Sequence, residues 1–142
     1  LTLVHELEAL LEEKWSDYAV DGVAEPNIVA GDYQGKLDED TVCVILYGRP
    51  IRNQLSSTGG KGAEKWQSVR IVVYAKVDRD AQKVLSQYTR TIEKIIDDNR
   101  TGVEDVTCLN LIPNPVRTED RITEPPEGFL VDEVHLTAYY II

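Results

Sequence analysis

The side chains able to do chemistry are few in this 142-residue sequence, and they are scattered. His5 and His135 are its two histidines and Cys43 and Cys108 its two cysteines. A zinc site needs several such ligands at short, regular spacing, and none stands near another here. Ser56 and Ser57 have no evident base, and no Gly-x-Ser-x-Gly turn is present. Gly59-Gly60-Lys61-Gly62 has the composition of a phosphate loop but not its spacing. No Ser or Thr follows the lysine, and a strand pattern follows it rather than a helix. Asp38-Glu39-Asp40 lacks the alternating ligands of a calcium loop and reads as a solvated acidic turn. The expectation is therefore no enzyme, no cofactor and no metal. What remains is charge in two groups: Arg49, Arg52, Lys61 and Lys65 in one stretch, Glu6, Glu12 and Glu13 in another.

The elements that carry these groups follow from periodicity. Val4, Leu7, Leu11, Trp15 and Tyr18 recur at helical spacing, so Leu3 to Tyr18 is expected to be an amphipathic helix. Its outer face holds Glu6, Glu8, Glu12 and Glu13, with His5 on the border. Asn27 to Ala30 reads as a short strand. Thr41 to Tyr47 is apolar almost throughout, as in a central strand buried on both faces. From Trp66 the residues alternate: Val69, Ile71, Val73, Ala75 and Val77 point one way, Arg70, Tyr74 and Lys76 the other, with Val72 out of pattern. Asp78 and Asp80 offer carboxylates to free helix-start amides. Ala81, Val84, Leu85, Tyr88, Ile92, Ile95 and Ile96 then form one helical stripe, and Gly102 is expected as its left-handed stop. Asp97 and Asp98 oppose the dipole at that helix end, which is expected to be solvated, a basic partner there being the alternative.

Val106 to Ile112 is the next strand, broken by Pro113 and Pro115. Val116 to Thr123 fits no pattern, and Glu124 to Gly128 is a stiff turn. Phe129 to Ile142 closes the chain. Val134, Leu136, Ala138 and Tyr140 face one side of it, Glu133, His135, Thr137 and Tyr139 the other. His135 on that polar face has an ordinary cross-strand partner or titrates at an interface. The fold class expected is α+β: a largely antiparallel four- to five-stranded sheet with two helices packed on one face. Residues 48–65 form a long basic hairpin loop, or arm, within one domain spanning 1–142. A loop of that length is a flexible tip or a segment that orders against a neighbour.

Net charge is -10, unevenly spread. Residues 1–40 hold eleven acids and two bases, residues 41–76 one acid and six bases, and the remainder thirteen acids and seven bases. A basic island thus lies between acidic flanks. An acidic chain repels phosphates, so general nucleic-acid binding is not expected. No apolar run approaches the roughly 20 residues of a membrane helix, and no signal peptide is visible. The start at Leu1 rather than Met is what a trimmed N-terminus gives. Both cysteines lie in apolar runs and are expected as buried free thiols, with a disulfide as the alternative if their strands are neighbours.

The layout resembles the tail terminator family of long-tailed phages and related viruses, also called tail completion or head–tail joining proteins. The features that carry the likeness are the acidic opening helix, the strands Thr41–Tyr47 and Trp66–Val77 flanking a long polar loop, the helix Asp80–Asp98, and an alternating last strand after a segment like Val106–Ile112. The resemblance implies a homo-oligomeric ring, commonly of six subunits, that caps the tail tube and joins it to the head or neck connector. Its partners would be copies of itself, the tail tube protein and the connector protein. Genomic DNA would pass through without specific binding. Its place would be the virion tail or neck, and the host cytoplasm during assembly. Ring interfaces are heterologous, and the acidic helix and basic loop offer two unlike patches.

Other readings predict different partners. A head-closure or minor capsid protein would bind other virion components. A small anionic-ligand-binding domain or enzyme would build its site under the 49–65 loop from Arg49, Arg52 and Lys61. A regulatory protein using its acidic face as a nucleic-acid mimic would compete with DNA for a basic partner.

Overall fold

A computed structural model of the chain describes residues 3–31, 37, 41–48, 52–55, 63–104, 106–112 and 126–141, with side chains at all of these except 52–55, 63–65 and 141. In chain order the elements are α1 (Leu3–Tyr18), a 3-10 turn (Val20–Gly22), β1 (Asn27–Ala30), β2 (Cys43–Gly48), β3 (Arg52–Leu55), β4 (Ala63–Lys76), α2 (Ala81–Asp98), β5 (Cys108–Leu111) and β6 (Phe129–Ile141).

The strands form one sheet in the order β1-β2-β4-β6-β5, with β3 also paired to β4. Every pairing is antiparallel except β1 with β2. The α+β class is as the periodicity indicates, with six strands rather than four or five. The added strand is β3, which lies in the stretch expected as loop. β4 correspondingly begins at Ala63, before Trp66, and its partner changes along its length. Cys43 to Gly48 of β2 face Tyr74 to Val69, and Arg52 to Leu55 of β3 face Trp66 to Ala63. β2 and β3 therefore follow one another down the same side of β4. The expected centrality of Thr41–Tyr47 is corrected: β2 is second from the edge, and β4 is in the middle.

Both helices lie on one face, as expected. One apolar cluster joins Leu7, Leu11 and Trp15 of α1 and Leu85, Ile92, Ile95 and Ile96 of α2 to Val44, Leu46, Val69, Ile71, Val73, Leu109, Leu136 and Ala138 of the sheet. α1 packs over β1 and β2, and α2 over β4, β6 and β5. Burying a large aliphatic side chain contributes about 1.5–3 kcal/mol, so this two-layer core dominates stability. At Gly48 the start of α1 comes close: a Cβ there would stand 3.0 Å from Cγ1 of Val4.

Val72 breaks the alternation for a reason. With Cys43, Ile45 and Tyr74 it forms a second, smaller cluster on the opposite sheet face, against which Leu37, Tyr47, Phe129 and Val131 pack. Val77, expected among the inward residues, lies just past the strand and is 51% exposed.

The ends of α2 differ from expectation. Asp80 takes the N-cap position without a side-chain cap bond. The carboxylate of Asp78 instead accepts from the Asp80 amide at 2.8 Å. Gly102 has no left-handed backbone; Asn99 ends the helix, its amide and its Nδ2 both donating to the carbonyl of Ile95. Gly128 does need φ of +86°, as the third residue of the turn closed by Phe129 N–H on Pro126 O. Neither cysteine is in a disulfide; Cys43 is buried and Cys108 half-buried.

Candidate functional site

Three parts of this frame carry polar groups in positions that bear on function. They are the outer face of α1, the far end of the β3–β4 ribbon, and the sheet face that bears no helix.

On α1, Glu12 and Glu13 are exposed and Glu6 is half-buried. The Glu12 carboxyl is pushed above the ordinary carboxylate range, first by partial desolvation and then by the charges of Glu8 and Glu25. Glu25 stands two residues before β1, so the acids of α1 and the entry to β1 share one rim. Of the basic residues singled out in the sequence, Arg49 and Lys61 lie outside the described residues. Arg52 is in β3 opposite Trp66, and Lys65 is in β4 opposite Asn53 and Tyr140. Two of the four are thus on ladder positions of a ribbon rather than in a loop. Past Val69, which is buried, Trp66 and Gln67 are half-buried and Ser68 is exposed, while the pairing of β4 with β6 continues to Glu64 and Ile141.

The helix-free face gathers residues that sequence alternation placed on it without showing their contacts. Arg70 and His135 are register partners, as are Tyr47 and Arg70, and Val72 and Glu133. One oxygen of Glu133 faces both side chains: Oε1 is 3.1 Å from His135 Nε2 and 3.8 Å from Arg70 Nε. The longer distance is an ion pair rather than a hydrogen bond. The guanidinium also lies over the Tyr47 ring, 4.7 Å from its centre, a cation–π contact. Its Nη1 is buried with no hydrogen-bond partner. Next to it the Tyr74 phenol is held well above its ordinary range, by burial first and then by its hydrogen bond with Tyr47. Farther along, Trp66 and Tyr139 pair at 5.6 Å between ring centres.

Instead of the cross-strand partner expected of it, His135 contacts Glu133, two residues along its own strand and on the same face, with Arg70 across the ladder. Asp98, left opposing the helix dipole, has a local partner: the Tyr18 hydroxyl hydrogen-bonds it, which together with desolvation raises the Tyr18 phenol.

Among the described residues no group of three or more histidine, cysteine or acidic side chains could hold a metal ion, and no helix is long and apolar enough to cross a membrane. No protein-family model matches the chain, and no curated protein matches it significantly.

Proposed function

We propose that this chain is a structural protein of a tailed virus particle. It forms a ring that closes the tail tube and joins it to the head or neck connector, acting by binding and not by catalysis. The observation that carries the reading is the three-stranded ladder at one end of the sheet. β3, β4 and β6 pair there from Trp66 to Ala63 and on to Ile141, with Ala138 opposite Gln67 still in the helix-side core and Tyr140 opposite Lys65 packed against it, and this end bears Arg52 and Lys65 of the basic stretch. The acidic face of α1 lies over β1 and β2. A basic ribbon and an acidic helix face are unlike patches on one chain, the arrangement a heterologous ring needs. Their charges would fix register and speed encounter more than they add affinity. The element order of the resemblance, with a helix, flanked ribbon, second helix and long last strand, is also that of this fold. An acidic subunit further suits a channel through which DNA slides without sticking.

The experiment is to mix the purified chain with tail tubes assembled without it and to image them by negative stain. Rings seated on one end of each tube are expected. A chain that stays monomeric and leaves both tube ends bare would refute the reading.

A further inference from the structure

We propose that, away from any tube, two copies of this chain pair by half-turn symmetry, each placing its β1 edge against the β3 edge of the other. The inference starts from the three outer strands of the sheet: β1, β5 and β3. An open edge is a row of unpaired amides and carbonyls that recruits another strand unless something covers it.

The β5 edge is covered. Leu109 turns its backbone groups away from β6, and its amide donates to Arg100 O at 2.8 Å. Arg100 Nε donates to Leu109 O at 3.1 Å, and Arg100 Nη2 reaches Asn110 Oδ1 at 2.7 Å. The turn after α2 thus plugs that side. The other two strands have no such plug among the described residues. In β1, Asn27 N–H reaches Val42 O and Gly31 N–H reaches Leu46 O, both toward β2. By alternation, the amides of Ile28 and Ala30 point outward. Among the described residues β3 pairs with β4 alone.

Position decides the symmetry. β2 and β3 lie in line on the same side of β4, and β1 lies outside β2 only. Among the described residues the sheet therefore has a notch beside β3, next to the end of β1. β1 and β3 are four residues each. A second copy turned by a half-turn in the sheet plane sets its β1 in this notch, and its own notch receives the first copy's β1. Both ladders are antiparallel, because β1 and β3 run the same way within one copy. A head-to-tail arrangement cannot use both edges this way, since they face the same side. Charge favours the second copy as occupant. Residues 1–40, which hold β1, carry eleven acids against two bases; residues 41–76, which hold β3, carry six bases against one acid. The rim of β1 includes exposed Glu12 and Glu25, and the ribbon includes Arg52 and Lys65.

The pair stands apart from the ring. It hides in solution the two surfaces a ring would use, so ring formation on a tube requires it to open. Sedimentation velocity and native mass spectrometry of the full chain test it without any tube. The wild-type chain is expected to be a dimer, with exchange at the Ile28 and Ala30 amides slowed about tenfold or more relative to dilute monomer. The variant E12K/E25K and the variant R52E/K65E should each pair about tenfold or more weakly, since like charges then meet at both ladders. Mixed together they should form a heterodimer and no homodimer, because each rim then meets an opposite ribbon. Far-UV circular dichroism of each variant establishes that it folds. A wild-type monomer, single variants that dimerise like wild type, or folded variants that stay apart when mixed would each overturn the pairing. None of these outcomes depends on binding to a tube, so loss of the pair and loss of the ring reading are told apart.

Discussion

One oxygen of Glu133 lies against both His135 and Arg70, and its side chain is only 12% exposed. Replacing it by alanine leaves Arg70 half-buried beside an aromatic ring with no carboxylate. Stability to urea should fall by about 1–3 kcal/mol, the cost of stranding a partly buried polar group. Arg70→Met in the same background should recover most of that loss, since breaking one member of such a pair costs more than replacing both. Simple additivity of the two substitutions would contradict the contact. A second residue-level expectation concerns pH. Desolvation, and then Asp132, raise the Glu93 carboxyl above its ordinary value of 4.5, against the pull of Arg90. A raised acid binds its proton more tightly in the folded chain. Its contribution therefore lowers stability as pH rises from about 4.5 through the folded value, and the penalty is full above it. Glu93→Gln should stabilise the chain at pH 7, by under about 1 kcal/mol because the residue is exposed and screened. The gain should vanish below about pH 4.5 in thermal melts. At this scale the sequence was legible as to face but not as to contact. Alternation put Arg70, Glu133 and His135 on one side of their strands. Only the register, with Arg70 opposite His135, brings them to a single carboxylate.

Elements with a strong period were readable nearly to the residue. α1 spans Leu3–Tyr18 and β1 spans Asn27–Ala30, both as the apolar spacing indicates. β3 was not readable, because Arg-Asn-Gln-Leu has neither alternation nor β-branched residues. Its pairing comes from the β4 backbone, which needs no side-chain pattern, and the glycine cluster nearby reads as loop. Residues of β2 that looked central are buried on both sides for another reason: Cys43 and Ile45 join the small cluster on the helix-free face. The plug at β5 was likewise invisible, since Arg100 looked like one residue of an exit turn. Its role makes a prediction. Arg100→Ala should expose the β5 edge and raise concentration-dependent light scattering while far-UV circular dichroism holds. Scattering unchanged across concentrations would show that the edge is protected by something other than Arg100.

Over the whole molecule, the charge division in the sequence maps onto the fold as an acidic helix face and a basic ribbon at one end of the sheet. Of the basic set, Arg52 and Lys65 fall on ladder positions, and Arg49 and Lys61 lie outside the described residues. The candidate site was thus legible as a pair of surfaces, whereas their sheet edges emerged only with the topology. The proposed ring depends on these surfaces meeting their counterparts on a tube. The most direct measurement is electron microscopy of tail tubes incubated with the purified chain. A closed ring of copies on one end of each tube, six by the family resemblance, is the predicted result. Tube ends that remain bare at saturating concentrations of folded chain would contradict it.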